Sequence, residues 1–290
     1  MKKSTEIGSS SKIVGLEKAI EMVARAGFDA WDFSMCNLVN VDWRTIEITP
    51  NDHPLNGNDY VSYAKKLRKI GEDNGIHCNQ SHAPFPSCAK GIEPYIKKAI
   101  ECTAIAGGEI CIVHPDNNKS AEENAEFYFN LLPFAKEHGV KIATENMWNW
   151  KANAPTACAA ACSHHDDFVK HIRAVNDPYL VACLDIGHAE MAGLDTSAEQ
   201  MIYALDKDLQ ALHIHDNDKL GDTHQIPFSM NINWDSVARA LKGISYQGYL
   251  TLEADNYIIS NKPQGEDEVQ KLLCDLYASL SRLDEMIKNA

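Results

Sequence analysis

Short apolar segments alternate along the chain with longer segments in which apolar residues recur at helical spacing. Short apolar segments bounded by polar turns are typical of buried strands, and the longer ones of amphipathic helices. The predicted strands are residues 4–8, 29–34, 76–81, 109–114, 141–146, 180–186, 209–215 and 248–254. The predicted helices are residues 16–26, 59–74, 91–106, 121–138, 165–175, 197–205, 234–242 and 265–287.

Eight strand–helix units predict a parallel sheet, and eight is the number of strands that closes a TIM barrel. A doubly wound open sheet would instead place a glycine-rich phosphate turn after an early strand. The segment IGSSSK at 7–12 has no such turn. No linker, repeat or low-complexity tract divides the chain. We therefore expect an α/β fold, a (β/α)8 TIM barrel, formed by residues 1–290 as a single domain.

Charge and composition narrow the partners and the compartment. The net charge of −14 disfavours nucleic acid as a partner, because phosphate backbones repel an acidic surface. No apolar run approaches the roughly 20 residues that span a bilayer, so no membrane association is expected. The nine cysteines are scattered and form no CxxC pair, and the N-terminus lacks the apolar core of a signal peptide. We expect a cytoplasmic protein.

Most of the predicted strands end in a histidine or a carboxylate. In a TIM barrel, the carboxyl ends of the strands form the active-site face. Six successive strands share this feature, which chance does not readily produce. The residues at or just after these strand ends are His82, His114, Glu145, Asp185, His188, His213, His215 and Glu253.

The carboxylates at these strand ends need a cation. Glu145, Asp185 and Glu253 follow apolar residues, so they should lie near a low-dielectric interior where an ionised group requires a partner. No Lys or Arg stands at the adjacent strand ends. Mixed histidine and carboxylate ligands suit Mn²⁺, Zn²⁺, Co²⁺ or Fe²⁺ rather than Ca²⁺. The sequence therefore predicts a divalent metal site.

The segment LHIHDNDKLGDTH at 212–224 is rich in such groups. Alternation along a strand points His213 and His215 to the same face, into the barrel. His215 is nearer the strand end and is the better ligand, while His213 orients a ligand or contacts substrate. Two interpretations of Asp216, Asp218, Asp222 and His224 stay open: they are solvated loop residues, or they extend the metal or substrate site.

These residues resemble the xylose isomerase-like TIM barrels, a superfamily that includes sugar phosphate isomerases/epimerases, keto-sugar 3-epimerases and endonuclease IV (AP endonuclease family 2). The resemblance extends from about the second strand to the eighth. It rests on HAP at 82–84, TEN at 144–146, LDIGH at 184–188, HIHDND at 213–218 and LEAD at 252–255. NINW at 231–234 is similar to the family's G-x-I-x-W segment, with asparagine in place of glycine.

Similarity to the epimerases implies one divalent ion, most commonly Mn²⁺. The implied ligands are Glu145, Asp185, His215 and Glu253, with His188 binding substrate. The epimerases have an arginine six residues after the metal-binding histidine, where this chain has Gly221. The resemblance also implies a homo-oligomer, a dimer or a tetramer.

Similarity to endonuclease IV implies a different metal count, with nine ligands for up to three Zn²⁺ ions. The additional ligands would be His82, His114, His188, Asp222 and His224. This reading predicts a zinc phosphodiesterase, which the acidic net charge and the absence of a basic groove oppose.

The favoured hypothesis is a metal-dependent sugar isomerase or epimerase with a small carbohydrate substrate. A metal would stabilise the enediolate that forms when a proton leaves carbon next to a carbonyl. Glu145 and Glu253 would remove and return the proton, and His188 would orient the substrate or carry a proton between oxygens. A metal-dependent lyase or dehydratase acting on keto-sugars or glycosides remains an alternative. No phosphate-binding signature stands out.

The segment 146–165 is long for a strand–helix connection and contains aromatic residues. Trp148 and Trp150 are candidates to stack on a sugar, and Lys151 to contact a hydroxyl or a phosphate. The alternative is that the tryptophans pack the loop on the barrel rim. Further candidates for pocket walls are Trp31, Trp43, Phe85 and Phe228.

Overall fold

A computed structural model describes residues 1–290 and contains ten strands and eleven α-helices. In chain order they are β1 (Lys3–Glu6), α1 (Gly8–Val14), α2 (Leu16–Ala26), β2 (Ala30–Ser34), β3 (Val39–Asp42), β4 (Glu47–Pro50), α3 (Tyr60–Asp73), β5 (His77–His82), α4 (Glu93–Ala106), β6 (Ile110–Ile112), α5 (Ala121–Glu137), β7 (Lys141–Glu145), α6 (His165–Val175), β8 (Leu180–Asp185), α7 (Ile186–Ala189), α8 (Ala198–Leu205), β9 (Leu209–His213), α9 (Trp234–Gly243), β10 (Leu250–Leu252), α10 (Asp255–Asn261) and α11 (Glu266–Asn289).

Eight of the strands form a parallel sheet in the order β10-β1-β2-β5-β6-β7-β8-β9. A bridge at Ile214, just after β9, closes the sheet onto β10. The Ile214 amide donates to the carbonyl of Thr251 at 2.9 Å, and the Glu253 amide donates to the carbonyl of Ile214 at 3.0 Å. The predicted TIM barrel is therefore confirmed, with helices packed around the sheet.

The apolar residues divide into two main layers because side chains alternate along each strand. One core cluster of 67 residues lies between the sheet and the helices. A second cluster consists of small and branched residues on the opposite face of the strands, including Ala143, Cys183 and Ala211. Two residues further along, the same face presents Glu145, Asp185 and His213. The barrel interior therefore changes from an apolar plug to a polar floor at the carboxyl ends of the strands.

Several elements differ from the predicted ones. The first strand ends at Glu6 rather than residue 8, because Gly8 begins α1 and the Ser9 amide donates to the Glu6 carboxylate. The antiparallel hairpin β3–β4 and the short helices α7 and α10 were not predicted. The predicted seventh strand stops at His213, and Ile214 forms only the closing bridge.

The predicted helix ends at glycine are confirmed where the backbone requires them. Gly27 and Gly107 end α2 and α4 in the left-handed conformation, with φ of 103° and 88°. Both amides donate to carbonyls of the last helical turn. Each helix thus ends directly before the strand that follows it. None of the helices combines the length and the apolar character required to span a membrane.

Candidate active site

A cavity of about 400 Å³ opens at the carboxyl ends of the barrel strands. Seven of the residues expected at the site line it: His82, His114, Glu145, His188, Asp222, His224 and Glu253. Asp185 and His215 are fully buried and contact this set from the protein side. All of the metal-ligand candidates from the sequence therefore converge on one region.

One group of three side chains occupies one side of the cavity floor and consists of His82, His114 and Glu145. The Nε2 atom of His114 lies 3.1 Å from Oε2 of Glu145, and Nε2 of His82 lies 3.9 Å from the same oxygen. Burial lowers the pKa of His82, and the nearby His114 adds to this, so the pKa falls to about 3. A neutral His82 has a ring nitrogen lone pair available to a metal ion.

A second group lies on the other side and consists of His188, His215, Asp222 and His224. Asp222 is central: its two oxygens lie 3.1 Å from Nε2 of His188 and 3.0 Å from Nε2 of His224. Asp185 joins the group through a contact of 3.0 Å with Nε2 of His215. Burial lowers the pKa of His188, but Asp185 and Asp222 outweigh it and raise the pKa to about 10.

The histidines share an orientation that suits metal binding. Histidines that bind metals usually donate the other ring N–H to a carbonyl or a carboxylate, which fixes the ring. Here the Nδ1 atom lies against a backbone carbonyl oxygen and leaves Nε2 directed into the site. The carbonyls belong to Ala83 for His82 (2.9 Å), Asn146 for His188 (2.9 Å) and Glu253 for His224 (2.8 Å).

His213 lies between the two groups and contacts both glutamates. Its Nδ1 atom is 2.9 Å from Oε1 of Glu145 and 3.2 Å from Oε2 of Glu253. Burial alone would raise the pKa of Glu145, but His213 and His114 outweigh it and hold that pKa well below its ordinary value. Burial raises the pKa of Glu253, and the negative charge of Glu145 adds to the increase. The two carboxyl groups therefore differ in proton affinity.

Several buried atoms of the site lack hydrogen-bond partners, although buried polar atoms normally have them. The Nε2 atom of His114 and Oε2 of Glu145 are 3.1 Å apart, yet neither makes a hydrogen bond. The atoms without partners in the site are Oε2 of Glu145, Oδ2 of Asp185, Oδ1 of Asp222, Nε2 of His114 and Nε2 of His213. Buried nitrogen and carboxylate oxygen atoms directed at one another fit a divalent cation.

The aromatic candidates separate into two sets. Trp43, Phe85 and Trp148 line the cavity. Trp150, which is 53% exposed, does not line it. Lys151 is also exposed and outside the lining. Trp31 is fully buried in the core, and Phe228 packs against Trp234 at a ring distance of 5.5 Å.

The aspartates of segment 212–224 have different surroundings. Asp216 is fully buried and accepts four hydrogen bonds, from the amides of Asn217, Met230 and Ile232 and from the Trp234 indole. Asp218 accepts from two amides of its own turn. Asp216 and Asp218 therefore organise the loop, and Asp222 with His224 belongs to the cavity.

Sequence reasoning missed Asp32 and the polar side of the cavity. Asp32 is buried, accepts a hydrogen bond from Gln80 at 2.8 Å, and lies 3.4 Å from Nε2 of His213. A charged residue inside the apolar strand AWDFS was the available clue. Asn117 and Asn118 also line the cavity, and they follow His114 in the segment HPDNN.

The chain belongs to the xylose isomerase-like TIM barrel family, whose family model matches residues 20–276. The fold, the strand-end histidines and carboxylates, and this match agree with one another.

Three similar proteins illustrate the range of this likeness. An uncharacterised protein, MJ1311, of Methanocaldococcus jannaschii is 24% identical over 88% of this chain and 90% of its own length. The structure of a D-tagatose 3-epimerase-like protein is 21% identical, covers 99% of this chain and 100% of its own, and superposes with a TM-score of 0.68. The structure of the 3-keto-D-glucoside 4-epimerase YcjR from E. coli is 14% identical, with coverages of 93% and 94% and a TM-score of 0.64.

Proposed function

We propose that the protein is a divalent-metal-dependent sugar isomerase or epimerase that moves a proton at a carbon next to a carbonyl. One observation carries the proposal: Glu145 and Glu253 both approach the same nitrogen of His213. Their contacting oxygens are no further apart than the sum of those two distances. Two carboxyl groups this close are placed to act on the two sides of one small substrate.

The residues fit a metal, and we propose Glu145, Asp185, His215 and Glu253 as its ligands, with Mn²⁺ the expected ion. All four lie at the floor of the barrel mouth. When bound, the ion supplies Lewis-acid stabilisation of the negative charge that develops on the carbonyl oxygen of a sugar.

The side chains would divide the proton transfers between them. Glu145 has a lowered pKa and is the base that removes a proton from carbon. Glu253 has a raised pKa and holds a proton that it returns at the other face, or at the adjacent carbon. His188, at the cavity wall, orients the substrate or carries a proton between its oxygens. His213, in contact with both glutamates, keeps them in place.

The cavity favours an uncharged sugar over a sugar phosphate. None of the residues that line it is Lys or Arg, the side chains that normally bind phosphate. The fold neighbours described as a D-tagatose 3-epimerase-like protein and as a 3-keto-D-glucoside 4-epimerase support the same substrate class. We therefore propose a neutral ketose or keto-glycoside as the substrate.

Hydrogen exchange at carbon tests this function directly. The protein is incubated in D₂O with Mn²⁺ and a panel of ketohexoses and 3-keto-glucosides, and deuterium at carbon is followed by NMR and mass spectrometry. We expect exchange with the wild type and its loss in Glu145→Gln and in Glu253→Gln. Glu137→Gln, an exposed residue on α5, is the matched control. Absence of exchange with every sugar would contradict the proposal.

A second candidate is a zinc phosphodiesterase of the endonuclease IV type. The observation that favours it is the presence of two separate ligand groups, one around Glu145 and one around Asp222. Metal content separates the candidates. About one Mn²⁺ per chain supports the epimerase, whereas two or three Zn²⁺ per chain with cleavage of abasic DNA supports the hydrolase. A lyase or dehydratase would show exchange at carbon accompanied by an eliminated product.

A further inference from the structure

The cavity is larger than a single sugar ring needs. Its volume of about 400 Å³ lies in the range of roughly 300–1,000 Å³ that is typical of pockets for drug-sized ligands. The histidines and carboxylates occupy the inner end. The outer part is lined by side chains that the proposed proton transfer does not use, and these form two walls of different character.

The first wall is aromatic and begins at the floor. The ring of Phe85 stacks on His114 with the centroids 4.9 Å apart. The ring of Trp43, at the tip of hairpin β3–β4, follows at 5.9 Å from Phe85. Trp43 is 60% exposed, which is unusual for so large an apolar side chain. The hairpin thus extends an apolar surface from the candidate metal ligands towards the mouth.

The second wall is polar and has unused hydrogen-bonding capacity. The hydroxyl oxygen of Ser87 is buried, lines the cavity, and has no hydrogen-bond partner. Asn117 donates its amide group to the carbonyl of Trp148 at 3.2 Å, which leaves its side-chain oxygen free. Asn118 accepts from Asn149 at 3.2 Å, which leaves its own amide group free. A ligand beside this wall would meet both donors and acceptors.

We infer that this outer region binds a second sugar ring, and that the substrate is a glycoside of the disaccharide type rather than a free monosaccharide. The inference rests on the proposed function for the ring at the floor. A pyranose has an apolar C–H face, which suits Trp43 and Phe85, and an edge of hydroxyls, which suits Ser87 and the asparagines. A purely aromatic substituent would stack equally well but would leave the buried Ser87 hydroxyl unpaired.

Binding without turnover tests the outer region. Isothermal titration calorimetry on the Mn²⁺-supplemented protein compares maltose and cellobiose with methyl α- and β-D-glucopyranoside. We expect at least one disaccharide to bind about tenfold more tightly than the matching methyl glucoside, the size of effect that one or two aromatic contacts provide. Trp43→Ala and Ser87→Ala should each remove most of this preference. Phe129→Ala, a similarly exposed aromatic on α5, should leave it unchanged.

Each other outcome has a defined meaning. Equal binding of disaccharides and methyl glucosides, or binding of neither, overturns the inference. Tighter binding of 4-nitrophenyl β-D-glucopyranoside than of any disaccharide overturns it in favour of an aromatic substituent. Because Trp43 is exposed on a hairpin, its replacement should not prevent folding, and a thermal melt checks this. Disaccharide binding without hydrogen exchange at carbon would contradict the proposed function and leave the outer sugar site standing.

Discussion

Metal removal should lower the thermal stability of the protein by an amount that can be worked out in advance. The ion-free site contains three carboxylate oxygens without hydrogen-bond partners, on Glu145, Asp185 and Asp222. A buried polar atom without a partner costs about 1–3 kcal/mol. A bound cation supplies that partner in the folded state only. Ion binding should therefore stabilise the folded protein over the unfolded chain.

The size of the effect follows from mass action and from chain length. At a free ion concentration one hundred times Kd, binding stabilises the folded state by about 2.7 kcal/mol. A chain of 290 residues unfolds with an entropy of about 0.6 kcal/mol/K, at roughly 2.1 cal/mol/K per residue. The expected increase in Tm is therefore about 4–5 °C relative to the chelated protein.

Differential scanning calorimetry measures this shift on protein treated with a chelator and then titrated with Mn²⁺, Zn²⁺ or Co²⁺. Asp185→Asn removes a buried charge, so the ion-free variant should be at least as stable as the wild type but should show no ion-dependent shift. Asp166→Asn is the matched control, since it alters the surface group formed by residues 164–166. A wild-type Tm that no ion raises, or a full shift in Asp185→Asn, would refute the reasoning.

Three further predictions concern single positions. In Gly187→Ala, the added methyl group would clash with the His215 ring, and we expect metal affinity to fall by at least 10–100-fold in equilibrium dialysis. In Asp216→Asn, an amide group would face two N–H donors, and chemical denaturation should show a loss of about 2–4 kcal/mol. Burial raises the pKa of Asp284, but Lys288 and other cations outweigh it and lower the pKa to about 2. Because this folded-state pKa is depressed, the stability that the Asp284 carboxylate contributes, about 1–2 kcal/mol at pH 7, should be lost as the pH falls from about 4 towards 2.

Matched variants control these three predictions. Gly265→Ala meets no atom within 4 Å, so its metal affinity should equal that of the wild type. Asp218→Asn affects only hydrogen bonds of its own turn, so it should cost clearly less than the change at Asp216. Asp73→Asn removes an exposed pair with Lys69 and should show almost no stability difference at either pH. Equal losses in a variant and its control would contradict the corresponding prediction.

The barrel strands could be predicted because each one buries a continuous apolar segment between polar ends. The hairpin β3–β4 could not, because its eight residues carry few buried side chains and pair only with each other. Helix α1 also escaped prediction, since GSSSKIV has a low intrinsic helix propensity. Its first turn is fixed instead by contacts between Ser9 and the Glu6 carboxylate, which depend on the end of β1.

The residues around the candidate metal could be predicted because barrel topology brings all strand ends to one face. Strand order indicated that Glu145 and Glu253 would share that face, but not that both would contact His213. The outer walls of the cavity were harder to predict. Trp43 and Asn118 come from loops far apart in the chain, and local sequence patterns contain no information about their separation in space.

The closing bridge at Ile214 has a consequence for the motions of the barrel. Only this residue joins the strand that carries His213 to the strand that ends before Glu253, whereas other neighbouring strands share three or more paired positions. The amides of Ile214 and Glu253 should therefore exchange with solvent sooner than those in β7 and β8. Brief opening at this seam would separate Glu253 from His213, so the least strongly joined part of the barrel also sets the spacing of the two glutamates.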